Sequence, residues 1–119
     1  MEDHELVMND MRSLVQACND MKEEFLAFAK KKKAAAKLAR EIGSRLADLS
    51  DEWARIYEYV AVNGFEDEGN YSYAKLGYEV SLAYKKRSEI INEFRFGLER
   101  LKLLDEYSRF EANHKEGNN

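Results

Sequence analysis

The sequence predicts an all-α fold: a long antiparallel helical hairpin of the coiled-coil type, which forms a helical bundle as a dimer. Apolar residues recur alternately three and four positions apart through the first half of the chain, which places them on one stripe of a helix. None of the 119 residues is proline, which fits long helices because proline interrupts helix interiors. Turn residues are concentrated in one segment, "NGFEDEGNYS" at 63–72.

The first predicted helix covers residues 4–62 and carries a stripe of seventeen positions, fifteen of them apolar. The stripe consists of His4, Val7, Met11, Leu14, Cys18, Met21, Phe25, Phe28, Lys32, Ala35, Ala39, Ile42, Leu46, Leu49, Trp53, Ile56 and Val60. An unbroken helix of this length would span roughly 85 Å at ~1.5 Å per residue. Gly43 and Ser44 are its one weak spot, where the helix is either kinked or split.

The remaining elements follow from a turn predicted at 63–71. Glycine, asparagine and acidic residues supply its turn chemistry, and Asn70 or Ser72 is placed to cap the next helix. A second helix is predicted over 72–113, with an apolar stripe broader than the first. Residues 114–119 are predicted to be a frayed tail. The whole chain, 1–119, is predicted to be one domain.

A short turn makes the two helices antiparallel neighbours, and the first is longer than the second. About 15 residues at the start of the first helix would then lack a partner within the chain, so we expect a second copy to cover them. The predicted homodimer interface consists of Val7, Met11, Leu14, Met21, Tyr84, Ile91 and Leu98. We also expect at least one other protein as a partner.

Basic residues are concentrated in "KKKKAAAKLAREIGSR", residues 30–45, which has seven bases and one acid in a chain of net charge -4. In the hairpin this run lies beside bases of the second helix. The candidate surface for an anionic partner consists of Lys30, Lys31, Lys33, Lys37, Arg40, Arg95, Arg100 and Lys102. It is either a docking surface for acidic groups or a solvated helix face. The acidic balance and the lack of a nucleic-acid-binding motif disfavour nucleic acid, whereas an anionic membrane surface stays an alternative.

Residues that carry catalytic or metal chemistry are sparse. The two histidines, His4 and His114, lie near the ends of the chain, and Cys18 lies on the apolar stripe. "EANH" at 111–114 has the Glu-x-x-His spacing of carboxylate metal sites, but the first stripe offers no further carboxylate. The sequence therefore predicts neither an enzyme nor a cofactor or metal. Ser88 follows "KKR", a context that basic-directed kinases accept, and is a candidate phosphorylation site.

The location predicted from the sequence is the cytoplasm. One cysteine cannot form an internal disulfide, and this favours a reducing compartment. The acidic N-terminus also lacks the basic-then-apolar order of a signal peptide.

Three functional hypotheses remain. The first is a non-enzymatic, self-associating coiled-coil scaffold or protein–protein interaction module within a larger assembly. The second is a membrane-surface module, because long basic helices that dimerise resemble the crescent-shaped BAR domains in gross architecture. That resemblance implies binding of anionic lipid by the basic residues, but the chain has two predicted helices instead of three and an acidic turn, "FEDEG". The third is a helical adaptor or chaperone.

Overall fold

The computed structural model describes residues 2–117, with side chains over 4–114, and confirms the all-α prediction. The helices are α1 (Glu2–Lys31), α2 (Ala36–Asn63), α3 (Tyr73–Arg100) and α4 (Leu104–Gly117). A short 3₁₀ turn at Lys33–Ala35 lies between α1 and α2. Within residues 2–117 the only β feature is an isolated bridge between Glu66 and Ser72.

The helices form a compact bundle of 50 × 28 × 18 Å. Helix α2 runs antiparallel to α1, and α3 returns parallel to α1. The rings of Phe25 in α1 and Phe94 in α3 stack with centroids 3.8 Å apart. An ion pair of 2.5 Å between Arg45 and Glu93 joins α2 to α3. Helix α4 then turns back over α1 and α3, and Tyr107 meets the edges of the Phe25 and Phe94 rings.

The predicted single helix over 4–62 is wrong, because the chain folds back at Lys32. This residue has φ -122° and ψ 91°, an extended conformation. Lys32 is the one charged position inside the apolar stripe. The three-four spacing is symmetric about the middle of residues 32–35, so Val7 lies 25 positions before Lys32 and Val60 lies 25 positions after Ala35. The two halves of one stripe therefore cover each other, which an 85 Å helix could achieve only with a partner.

Helix α2 continues without interruption through Gly43 and Ser44. Gly43 is buried, and a Cβ added there would stand 3.4 Å from Cγ of Lys22. The glycine therefore lets α1 and α2 approach closely instead of breaking the helix.

The predicted unpaired N-terminal segment does not exist in this fold. Val7, Met11 and Leu14 are 7%, 0% and 0% exposed and belong to the core of the single chain. Leu98 is also fully buried. Because the chain covers these four side chains itself, the sequence argument for a dimer sealed by them no longer holds.

The second predicted helix, 72–113, is also interrupted. Helix α3 ends at Arg100, and α4 begins at Leu104 after a corner. The Leu103 N–H donates to the Leu98 carbonyl at 2.8 Å, and the Lys102 N–H donates to the Glu99 carbonyl at 3.0 Å. These two bonds form a Schellman motif, in which glycine is the usual residue at the position that Lys102 occupies.

The acidic turn was predicted correctly in place and chemistry. Residues 64–72 link α2 to α3, and the Ser72 side chain caps α3 by accepting the Lys75 N–H at 3.3 Å. The tail was predicted from 114, but α4 extends through Gly117. Residues 118 and 119 lie outside the described part.

Candidate interaction surface

Two corners of the chain lie at the same end of the bundle, because α1 and α3 are parallel and both finish there. We call residues 30–37 and 99–106 the basic end. It has seven bases and three acids, a net charge of 7 - 3 = +4. Its bases are Lys30, Lys31, Lys32, Lys33, Lys37, Arg100 and Lys102, and all seven are exposed. Six of the eight bases predicted for the surface of an anionic partner thus gather at one pole, and Arg40 and Arg95 lie outside it.

Two of these lysines are engaged with α4. Lys32 Nζ lies 2.5 Å from Glu106 Oε2, and Lys31 Nζ stands 5.3 Å from the centroid of the Phe110 ring. The other five bases form no ion pair with any carboxylate of the described side chains. Their charge is available to a partner.

An apolar groove lies between the first turns of α2 and the last turn of α3, at the border of the basic end. Its space of about 370 Å³ is lined by the apolar residues Ala34, Leu38, Gly97 and Leu101 and by the charged residues Lys37, Glu41 and Arg100. Leu101 is 43% exposed. A Cβ on Gly97 would stand 2.6 Å from Cδ2 of Leu38, so the glycine permits this close approach. The basic end therefore combines charge with an uncovered apolar surface.

The opposite end of the bundle is acidic. We call residues 4–10 and 58–70 the acidic end; they carry six acids and no lysine or arginine, a net charge of -6 with His4 neutral. The acids are Glu5, Asp10, Glu58, Glu66, Asp67 and Glu68. Two bases border it: Arg12 binds the Asn9 side chain at 2.9 Å, and Lys75 binds the Asn70 side chain at 2.8 Å and lies 3.9 Å from Glu79.

Aromatic side chains close the acidic end. His4 lies 4.9 Å from Phe65 and 4.9 Å from Tyr73 between ring centroids, and Tyr59 stacks on Tyr71 at 4.1 Å. The Tyr59 hydroxyl donates to Glu66 at 3.0 Å. This hydrogen bond and the carboxylate charge raise the pKa of Tyr59.

A polar network fixes α4 beneath the basic end. The Tyr107 hydroxyl donates to the carboxylate of Glu24, which is 7% exposed. Arg95 donates two hydrogen bonds to Glu111, of 3.0 and 3.2 Å. Burial, followed by the hydrogen bond to Glu24, raises the pKa of Tyr107 far above its ordinary value. Arg95, predicted to lie on the basic surface, is therefore engaged with α4.

The remaining residues of the predicted interface lie apart from the basic end. Met21, Tyr84 and Ile91 are half-buried against the core, and the Tyr84 hydroxyl donates to the Asp10 carbonyl at 3.3 Å. Arg40 is exposed further along α2, and Ser88 is exposed in the middle of α3.

Cys18 is fully buried, and desolvation raises the pKa of its thiol against the opposing charge of Arg87. Such a thiol is a poor nucleophile. At the Glu-x-x-His segment, Glu111 binds Arg95 and His114 stacks on Phe110 at 5.6 Å. No group of three or more His, Cys, Asp or Glu side chains is arranged to hold a metal in the part of the chain that the structure describes.

Sequence reasoning missed Lys32 and Arg109 as parts of the basic surface. Arg109, on α4, borders a cleft of about 490 Å³ with Lys31, Lys32 and Phe110. The signal for Lys32 was its charge inside an apolar stripe. Arg109 had no such signal, because its place depends on the corner at 101–103.

Comparison of the chain with protein-family models, curated proteins and solved structures finds no match. Among the described helices, none has the length and apolar character needed to cross a membrane.

Proposed function

We propose that this protein is a non-catalytic helical interaction module, which binds an acidic protein surface through its basic end and acts as a scaffold within a larger assembly. The observation that carries the proposal is the convergence of two corners on one pole. Five bases without an ion pair in the described structure lie there, and two of them, Lys37 and Arg100, line an apolar groove. Charge of this kind provides specificity and fast association, and the apolar groove provides affinity.

The conformation of Lys102 supports the same proposal. Its φ is 61°, in the left-handed region, which costs a residue other than glycine roughly 1–2 kcal/mol. Glycine at this position would remove that cost. A lysine held there against its backbone preference supports a role for its charge, because local rules are most often broken at functional sites.

The alternatives have less support in this fold. A bundle 50 Å long has no extended crescent. The basic end is therefore the one feature that still supports the membrane-surface hypothesis. An adaptor or chaperone role would need an open groove along α1 and α3, and α4 fills part of it. A cytoplasmic location belongs to the proposal and is supported by the buried, unpaired Cys18.

A direct test uses an acidic amphipathic peptide with leucines at i and i+4 between glutamates, and a second peptide in which glutamine replaces both leucines. Fluorescence anisotropy at low salt should show tighter binding of the leucine peptide. The variant K33E/R100E should weaken that binding at least about tenfold. The matched control is K85E/K86E, which reverses two exposed charges in the middle of α3 and should change the affinity far less.

Equal losses in the two variants would contradict the proposal, because they would show dependence on net charge alone. Binding to phosphatidylserine vesicles without binding to either peptide would also overturn it, in favour of the membrane-surface alternative.

A further inference from the structure

We infer that the acidic surface bound by the basic end is the acidic end of a second copy of this chain, so that copies associate head to tail. This inference rests on the proposed function and names its partner. The two ends carry net charges of +4 and -6, at opposite poles of a bundle 50 Å long. That separation exceeds the screening length of ~8 Å at physiological salt, so the ends cannot neutralise each other within one molecule.

The exposed apolar side chains of the two ends are also complementary. Val62 is 84% exposed on the last turn of α2, and Leu6 is 61% exposed on α1. Glu58 precedes Val62 by four positions, so the two share one face of the helix. At the basic end, Leu101 lies beside Arg100 and Lys37. An exposed apolar side chain beside an acid at one end thus matches an apolar groove lined by two bases and one acid, Glu41, at the other.

The contact joins two different surfaces, so it is heterologous. Each added copy leaves one acidic and one basic end free, and association continues as an open chain unless the rotation closes a ring. This differs from the closed homodimer that the sequence predicted, in which the same surface of both copies would be used.

The size of the contact sets its strength. The cross-section of the bundle is 28 × 18 Å, so end-on docking covers about 500 Å² on each copy and about 1,000 Å² in total, below the usual range for stable complexes. We therefore expect association in the micromolar range or weaker. High salt should weaken it, because charges at the rim of the contact are screened.

The test uses two variants that each lose one end. K37Q/R100Q lowers the net charge of the basic end from +4 to +2, and E58Q/E68Q reduces that of the acidic end from -6 to -4. By sedimentation equilibrium at low salt, the average mass of the unmodified protein should rise with concentration beyond that of a dimer. Each variant alone should associate at least about tenfold more weakly. Their equimolar mixture has one intact pair of ends and should stop at a dimer.

The control K85Q/E89Q alters exposed residues in the middle of α3 and should associate like the unmodified protein. A mass that stops at the dimer for the unmodified protein, or a mixture that stays monomeric, would overturn the inference. If the unmodified protein is monomeric at all concentrations but the leucine peptide still binds, head-to-tail association is wrong and the proposed function stands. Failure of both measurements would overturn both proposals.

Discussion

The two ends of the bundle are closed in different ways. At the acidic end, Gly64 and Gly69 adopt φ values of 78° and 93°, which glycine reaches without steric cost. At the basic end, the chain turns twice without glycine or proline at the corner itself, and Lys102 adopts φ 61°. The residues of the acidic end suit the backbone they form, whereas those of the basic end keep their charge at a cost to the backbone.

The aromatic side chains are packed more tightly beneath the basic end than at the acidic end. Phe25, Phe28, Phe94 and Tyr107 are all nearly or fully buried beneath the basic end. At the acidic end Tyr59 is 37% exposed, and Phe65, Tyr71 and Tyr73 are only partly buried. A dense aromatic core thus supports the end that carries the strained corner, which is how a fold can hold an unfavourable local conformation.

The largest expected effect comes from removing that aromatic core. Phe94→Ala deletes a fully buried ring that stacks on Phe25 and meets the edge of Tyr107. We expect the free energy of unfolding to fall by about 3–5 kcal/mol, measured by urea denaturation. Tyr59→Ala removes a partly exposed ring at the other end and should lower the free energy of unfolding by about 1 kcal/mol or less. Similar losses at the two positions would show that the ends do not differ in packing.

Sequence reasoning predicted the acidic end well and the basic end poorly, and the reason is physical. Glycine, asparagine and serine at 63–72 have local turn preferences, which can be recognised directly in the sequence. Lysine and alanine at 30–37 favour helix, so no local preference marks the corner at Lys32. That corner forms because folding back buries both halves of the apolar stripe, a tertiary effect that overrides local propensity.

The candidate site was predicted in part for the same reason. The basic run at 30–45 and the bases at 100 and 102 were identified from charge alone. Their meeting at one pole depends on both missed corners. The contact of Arg95 with Glu111 depends on α4. The sequence did not indicate that α4 is a separate helix, because the apolar spacing continues through residues 98, 101 and 104.

The next effect concerns the buried Tyr107–Glu24 hydrogen bond. Tyr107→Phe removes the donor and leaves the Glu24 carboxylate buried without it, which should cost about 1–3 kcal/mol at neutral pH. Because the pKa of Tyr107 is raised on folding, its neutral form stabilises the fold below the unfolded value of about 10, and this contribution is lost as the pH rises above it. Thermal unfolding followed from neutral to strongly alkaline pH should therefore show a shallower alkaline loss for the variant.

Tyr59→Phe is the matched control, because the Tyr59 hydroxyl also donates to a glutamate but lies at the surface. The pKa of Tyr59 is also raised, but solvent screens this exposed pair, so Tyr59→Phe should change the neutral stability and the alkaline profile much less than Tyr107→Phe. An alkaline profile of Tyr107→Phe that parallels that of the unmodified protein would mean that the buried phenol does not couple to folding.

The smallest effect tests the corner at Lys102. Lys102→Gly should relieve roughly 1 kcal/mol of left-handed strain, offset by about 0.5 kcal/mol for the added freedom of the unfolded chain. We expect a net gain of about 0.5 kcal/mol, or about 2 °C in Tm, together with weaker binding of the leucine peptide. Lys102→Ala removes the same charge but keeps the backbone strain. This variant should therefore bind the leucine peptide more weakly and show no gain in stability.

Gly64→Ala at the acidic end is the converse change. An added Cβ there meets no atom within 4 Å, so any loss of stability comes from the backbone conformation alone. The free energy of unfolding should fall by about 1–3 kcal/mol, because φ is 78° and ψ is 170°. Opposite signs at Gly64 and Lys102 would establish that one end of the bundle is optimised for its backbone and the other is not. If Lys102→Gly gave no gain in stability, or bound the peptide as well as the unmodified protein, the lysine would not be held at that corner for its charge.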